Sequence, residues 1–381
     1  MILGLLALAQ AAALAVVLVR LASGRRRIPP VLPESDGVAD TSVSVILPAL
    51  NEGDRIGACL EGLRAQGPPL VEVLVVDSAS TDRTRGVVLQ AMRRDTRVRL
   101  LGDPPLPRGW IGKAWALQHG LAAARGEWVL GVDADTVAGA GMVAGVVSAA
   151  RAHGLEMVSF GPRFSEQSAG ERWLQPAMLA TLVYRFGAPS VGARPGRVMA
   201  NGQCFLARRD LLLRYGGYEA ARASFADDVA LARHYARQGA RVGFLDGAGL
   251  YRVRGYGALS RVWREWGRSI DLRDATPPGR QCADLAVIAL VQGLPIPVLA
   301  LAALGAGLAA SLRPLVLVSA LALGVRGLLL LALRASYARR GPAFWLSPLA
   351  DPLAALRLIL STARRPTVWR GREYRDLRLA D

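Results

Sequence analysis

Two carboxylates one residue apart, Asp133 and Asp135, end a run that is otherwise apolar, Trp128-Val129-Leu130-Gly131-Val132, and Thr136 follows them. A strand hydrophobic on both faces belongs inside a helix-covered sheet, and acids at its carboxyl end lie on the edge where open α/β sheets bind ligands. Side chains one residue apart on a continuing strand point to opposite faces, so a turn is required here to aim both acids at one ligand. Hard carboxylate oxygens at such a place suit Mg²⁺ or Mn²⁺ and the phosphates these ions carry. Taken alone, Asp-x-Asp is equally an Asp-rich turn that ends a strand. The rest of the chain has to decide.

Two earlier hydrophobic runs end in the same manner. After Ser42–Leu47 comes Pro48-Ala49-Leu50-Asn51-Glu52, and after Val71–Val76 comes Asp77-Ser78-Ala79-Ser80-Thr81-Asp82. A carboxylate such as Asp77 can accept hydrogen bonds from ribose hydroxyls or base N–H groups, and helix N-termini beside it can receive phosphates. Asn51, Thr81 and Asp82 also have a plain structural use as caps of the helices that follow. Repetition at successive strand ends is harder to explain by capping. No Gly-x-Gly-x-x-Gly fingerprint and no P-loop is present, which argues against a dinucleotide cofactor and a kinase-like phosphate cradle.

Lys113 is the only lysine among 47 basic residues. It stands in Gly109-Trp110-Ile111-Gly112-Lys113 at a predicted helix start, where a compact ammonium can approach a diphosphate as a point charge. Chance retention on a solvated face is the alternative. Asp227 and Asp228 precede the helical pattern Val229–Gln238, where two acids also complement a helix dipole.

The elements that must position these residues alternate. Helical apolar spacing over Gly53–Gln66, Thr84–Arg94, Lys113–Ala124 and Gly141–His153 separates strand-like runs at Ser42–Leu47, Val71–Val76, Val98–Leu101, Trp128–Val132 and Met157–Phe160. Alternation of this kind predicts a mostly parallel sheet with right-handed crossovers. In such a sheet the decorated strand ends share one edge.

Composition points to a membrane. A hydrophobic content of 52% and a positive mean hydropathy coexist with a formal net charge of +17, so apolar and basic regions are separate. Met1–Leu21 is apolar except Gln10 and Arg20 and is followed by Arg25-Arg26-Arg27. That length crosses about 30 Å of hydrocarbon, and charge after the apolar run rather than before it reads as a retained anchor. Ala283–Ala310, with Asp284 near its start, and Leu315–Leu333, with Arg326 inside, are two further spans joined by a turn at Ser311–Pro314. Arg326 is expected to pack against a buried carboxylate or to snorkel, with pointing at a headgroup or diphosphate as the alternative.

Arginines flank these spans at Arg252, Arg254, Arg261, Arg264, Arg268, Arg273, Arg280, Arg334, Arg339 and Arg340. The positive-inside rule then places the large middle domain in the cytoplasm of a multi-pass cell-membrane protein. Ala343–Leu360 is broken by Pro348, Asp351, Pro352 and Arg357, and a fourth crossing would carry Arg364-Arg365 outside, so it reads as an interfacial helix. Basic residues beside apolar spans are explained by anionic lipid headgroups, and no nucleic-acid partner is expected. Cys59, Cys204 and Cys282, like His119, His153 and His234, show no metal spacing.

Over roughly Val43–Gln238 the chain resembles the family 2 glycosyltransferases, whose nucleotide-sugar-binding domain has the GT-A fold. The resemblance is carried in order by Pro48–Glu52, Asp77-Ser78-Ala79-Ser80-Thr81-Asp82, Asp133-Ala134-Asp135 and Asp227-Asp228-Val229-Ala230-Leu231-Ala232. It implies a nucleotide-sugar donor held by Pro48, Asn51, Glu52, Asp77, Ser80 and Asp133, with Asp77 on the nucleoside, and Lys113 is expected beside the same diphosphate. It implies Mg²⁺ or Mn²⁺ on Asp135 and Asp133, and Asp228 as the base, beside Asp227 where the family commonly has Glu. An inverting transfer needs that base to take the acceptor's proton and an electrophile to stabilise the departing diphosphate.

Processive synthases of the family carry Gln-x-x-Arg-Trp, whereas here Glu265 separates Arg264 from Trp266. That departure argues against a polymer-extruding synthase. Trp263–Thr276, Ala200-Asn201-Gly202-Gln203 and Asp227–Ala232 look most like bacterial membrane glycosyltransferases of carotenoid and hopanoid pathways. The likeness implies a lipophilic isoprenoid acceptor reaching the site from the bilayer, with Trp263 and Trp266 beside it. Both tryptophans are otherwise ordinary interfacial anchors. Glu166–Pro189 has apolar residues at helical spacing, suited to a membrane interface, to an apolar acceptor or to a plain core.

The expected organisation is α/β: an N-terminal anchor at 1–22, a linker at 23–41, a GT-A domain at 42–250, and an interfacial basic and aromatic segment at 251–282. Two transmembrane helices follow at 283–334, then an interfacial helix and basic tail at 335–381. Other acceptors compatible with the same residues are polyprenyl phosphate, hopanoids and glycerolipids, and a catalytically silent scaffold is the reading from a different class.

Overall fold

The computed structural model describes residues 2–22, 24, 28–34, 38, 40–304, 312–363, 368–369 and 372–374. Arg25–Arg27, Ser311 and Arg364-Arg365, which entered the topology expectations, lie outside the described residues, as does the side chain of Arg268. The chain divides into two units. One comprises Met1–Arg27, Ser165–Ala188 and Gly255–Pro366, the other Ile28–Phe164, Pro189–Arg254 and Thr367–Asp381.

The second unit is built on strands. In chain order they are β1 (Val43–Ala49), β2 (Leu70–Asp77), β3 (Val98–Gly102), β4 (Trp128–Val132), β5 (Thr136–Ala138), β6 (Met157–Gly161), β7 (Arg163–Ser165), β8 (Cys204–Arg208), β9 (Val242–Asp246) and β10 (Tyr251–Arg254). Seven form one sheet in the order β3-β2-β1-β4-β8-β6-β9, and β5-β10-β7 form a small second sheet. Pairing is parallel between β1 and β2, β1 and β4, β2 and β3, and β6 and β9. Strand β8 runs antiparallel to both of its neighbours. The mostly parallel α/β sheet expected from the alternation is present.

Strands β1 and β4 read as apolar runs because both faces are covered. Val45 and Leu47 join Ile56, Cys59 and Leu63 of the helix Ile56–Arg64 and Val143 and Val147 of the helix Met142–Ala152 in one buried cluster. On the other face, the helix Gly112–Ala123 comes so close that a methyl group at Gly120 would collide with Ile46. Each such fully buried aliphatic side chain contributes roughly 1.5–3 kcal/mol, enough to fix the sheet against its helices. The stretch 28–34 lies along this unit, with Val31 N donating to Asp246 O at 2.8 Å and Glu34 N to Gly141 O at 3.2 Å.

The first unit is helical. Among the described residues three helices are long and apolar enough to cross a membrane: Ile2–Leu21, Pro278–Ala303 and Arg313–Ser336. Leu5, Leu8, Leu301, Leu317, Leu321 and Leu328 stand exposed on them, as side chains facing lipid would. The stretch 343–360 is divided into Pro342–Trp345, a 3₁₀ turn Ser347–Ala350 and Asp351–Ala363. A helix of 13 residues falls short of the roughly 20 that a crossing needs.

Polar residues inside these helices are paired. Gln10 donates to Leu290 O at 3.0 Å and to Ser319 Oγ at 3.1 Å, and Arg20 meets Asp284 at 2.7 Å. Arg326, 2% exposed, packs against a buried carboxylate as the sequence suggested: its Nε is 2.9 Å from Asp351 Oδ2, and its Nη2 donates to Ser347 Oγ at 3.2 Å. Removing one partner of such a pair strands a buried charge, so Arg326→Leu should lower stability by about 3–5 kcal/mol. Thermal unfolding in detergent measures this, and Arg326→Leu/Asp351→Leu should recover most of the loss. Equal loss in the single and double variants would refute the pairing argument.

Candidate active site

The turn demanded by Asp133-Ala134-Asp135 is formed. Thr136 N donates to Asp133 O at 3.0 Å, which closes the four residues and lets β5 start in a new direction. Strand β10 holds the far side, with Arg254 N donating to Asp135 O at 3.3 Å, and Thr136 Oγ1 donates to Gln203 O at 3.1 Å. Asp133 and Asp135 thereby line one open cleft at the carboxyl ends of β1, β2 and β4, with Pro48, Glu52, Ser78 and Lys113.

The first two decorated strand ends are tied to each other. Asn51 adopts a left-handed φ of 55°, its N–H donates to Ser80 Oγ at 2.9 Å, and its Oδ1 accepts from Thr81 N at 2.9 Å. An Asn or Gly is the residue that reaches such a φ with least strain. Asp82 accepts from Gly53 N at 3.0 Å and Thr84 N at 2.9 Å, so its use is structural. Asp77 is 2% exposed, accepts from Ser80 N at 3.3 Å and pairs with Arg85 at 3.3 Å. Asn51, Asp77 and Ser80 form this network without lining the cleft, whereas Pro48 and Glu52 line it.

The charged centre lies around Lys113. Its Nζ is 2.8 Å from Asp133 Oδ1, so the ammonium expected to face a diphosphate is held by a carboxylate of the same cleft. Burial disfavours the charged lysine, but Asp133, Asp227 and Asp228 outweigh it and push its pKa up. Asp227 and Asp228 start the helix Asp227–Arg237. Burial lifts both carboxyls above the ordinary carboxylate range, and Lys113 works against that rise. Asp228 is fixed by two backbone donors, Gly202 N to Oδ2 at 2.7 Å and Val229 N to Oδ1 at 2.8 Å. A carboxylate so held is oriented and still has lone pairs for an acceptor proton.

Gly202 makes this meeting possible. A Cβ there would stand 2.7 Å from Lys113 Nζ and 3.6 Å from Asp228 Oδ2. Gly202→Ala should therefore displace the ammonium and cut turnover by about tenfold or more, with the fold intact, which steady-state kinetics and a melting curve together report. Unchanged turnover would show that Lys113 is free to shift. The sequence offered Gly202 within Ala200–Gln203 but gave no hint of this spacing role. Tyr374, from the segment expected to be a basic tail, also lines the cleft.

Trp263 and Trp266 belong to the other unit. They lie on the helix Leu259–Ser269, half-buried beside Val262, Leu174 and Met178, and Arg357 lies 5.5 Å over the Trp263 ring. They do not line the cleft.

Among the described residues no group of three or more His, Cys, Asp or Glu gathers as a metal centre. The donor set nonetheless fits a hard divalent cation, because Mg²⁺ is commonly held by one or two carboxylates with substrate phosphates completing the shell. Asp133 and Asp135 supply such a pair.

Residues 44–216 match the family model described as "Glycosyl transferase family 2". Among curated relatives, a glucosyl-3-phosphoglycerate synthase of Mycolicibacterium paratuberculosis is 39% identical over 101 residues, 26% of this chain and 30% of that protein. A dolichyl-phosphate beta-glucosyltransferase, ALG5C, of Trichomonas vaginalis is 31% identical over 121 residues, 30% of this chain and 34% of its own length. The chain thus spans about a third of the length of these relatives. Among solved structures, the mannosyltransferase PcManGT from Pyrobaculum calidifontis, in complex with GDP-Man and Mn²⁺, aligns over 95% of this chain and 99% of its own with a TM-score of 0.58 at 24% identity. That likeness is one of fold, and it extends over the apolar helices as well as the sheet.

Proposed function

We propose that this chain, whose residues 44–216 match the glycosyl transferase family 2 model, is an inverting glycosyltransferase moving a sugar, such as the hexose of a UDP-hexose, from a nucleotide-sugar to a hydroxyl of a lipophilic isoprenoid acceptor, for example a carotenoid. The observation that carries the reading is that Asp133, Asp135 and Lys113 line one cleft, while Asp228, which does not line it, lies with Lys113 against Gly202. Glu52 and Ser78 line the donor end, and Asp77 with Asn51 and Ser80 shapes the loops behind them.

Asp228 takes the acceptor's proton as its oxygen attacks the anomeric carbon. Two backbone donors fix its direction, and its raised pKa brings it nearer the range useful for base catalysis. Lys113 keeps the cluster of acids charge-balanced and lies where it can turn from Asp133 to a leaving phosphate. A divalent cation such as Mg²⁺ or Mn²⁺, held by Asp133 and Asp135, would neutralise charge developing on the diphosphate.

The acceptor class rests on the three apolar helices, which suit a multi-pass protein of the cell membrane whose acceptor arrives from the bilayer. Arg252, Arg254, Arg261 and Arg264 favour a cytoplasmic sugar-transfer domain. Trp263 and Trp266 then serve near the lipid interface.

A polyprenyl phosphate acceptor is the second reading, favoured by the likeness to a dolichyl-phosphate glucosyltransferase. Mild acid separates the two on the labelled product. A glycosyl phosphodiester releases its sugar, whereas a glycoside of a hydroxyl survives and supports the first reading.

A further inference from the structure

The C-terminal segment has no task in the mechanism so far. Val368–Trp369 pairs antiparallel with Arg372–Glu373 in a short hairpin, and Tyr374 follows it directly. Tyr374 lines the cleft with Lys113, Asp133 and Asp135. Its ring meets Phe225 edge to face at 5.8 Å and 90°, and its hydroxyl accepts from Gly112 N at 3.3 Å.

Gly112 opens the helix Gly112–Ala123, so its N–H is one of the amides that the helix itself leaves unsatisfied, at the positive end of the dipole. A phenolic oxygen that accepts this N–H keeps its own proton to donate. Hydrogen bonds in a chain polarise one another, so the accepted bond makes the phenol a better donor. Lys113, the next residue, supplies charge to the same cleft.

We infer that Tyr374 is a donor-binding residue whose hydroxyl relays the N-terminal charge of the Gly112–Ala123 helix onto a phosphate oxygen of the nucleoside diphosphate. The inference rests on the nucleotide-sugar reading above. Tyr374 is then part of the donor site, although it lies far along the chain from the residues that match the family model.

Titration calorimetry of UDP and of GDP, each with Mg²⁺, into the full chain in detergent provides the test. Tyr374→Phe removes one oxygen and keeps the ring against Phe225. It should weaken diphosphate binding about tenfold or more, as expected for losing a hydrogen bond to a charged group. The donor KM should rise by more than kcat falls, and the melting temperature without nucleotide should not move. Equal or tighter binding by Tyr374→Phe, with wild type binding normally, would overturn the inference alone. Failure of the wild type to bind either diphosphate would overturn the nucleotide-sugar reading and the inference with it.

Discussion

Asp228→Asn lowers turnover by about 10²–10⁴-fold, the range that a positioned general base contributes, while donor binding changes little. The size follows from how Asp228 is held. Gly202 N and Val229 N anchor its two oxygens, so the side chain has one direction to face. Asn keeps the shape but presents an NH₂ group where one of these amides donates, so a melting curve must accompany the kinetics to exclude loss of fold. A hydroxyl acceptor requires the base. A phosphate acceptor arrives ionised and needs none, so turnover of Asp228→Asn within about tenfold of wild type would move the acceptor to polyprenyl phosphate.

Lys113 should be nearly as demanding, and in both directions of substitution. Lys113→Met removes the cation that lies against Asp133 and holds down the carboxyls of Asp227 and Asp228, so these two rise further above the ordinary carboxylate range. Lys113→Arg keeps the charge but needs room for a planar guanidinium, and the ammonium already stands 2.7 Å from where a Gly202 Cβ would be. Both variants should lose about 10²–10³-fold in kcat, the loss seen when one electrostatic donor is removed from a catalytic centre. Near-normal turnover in Lys113→Arg would show that the position asks only for positive charge.

The parallel part of the sheet was legible because its physics is local. A strand covered on both faces must be largely apolar, and Val45–Ala49 and Trp128–Val132 are. Asp133 and Asp135 were legible for the same reason, since acids directly after such a run stand out, and the required turn is the one that Thr136 closes. The pairing of Arg326 was anticipated from the cost of a bare charge in an apolar helix, although the sequence did not choose Asp351.

Long-range spacing was not legible. That Lys113 would be caught by Asp133 rather than left facing a ligand depends on Gly202, nearly ninety positions away and unmarked by any turn signal. Tyr374 was hidden by composition, because an arginine-rich tail reads as a surface feature whichever residues it contains. The antiparallel β8, inserted between β4 and β6, likewise has a burial pattern that a parallel strand would share.

The central claim is transfer of sugar from a nucleotide to a membrane lipid at the Asp133–Asp135 cleft. Membranes containing the chain, incubated with radiolabelled UDP-glucose or GDP-mannose, Mg²⁺ or Mn²⁺ and a total lipid extract, test it directly when label in the organic phase is counted. Label above that of membranes lacking the chain, abolished by chelation and by Asp135→Asn, is the predicted result. No transfer to lipid from any nucleotide-sugar by folded protein would contradict the account and leave a scaffold that has kept the fold without the chemistry.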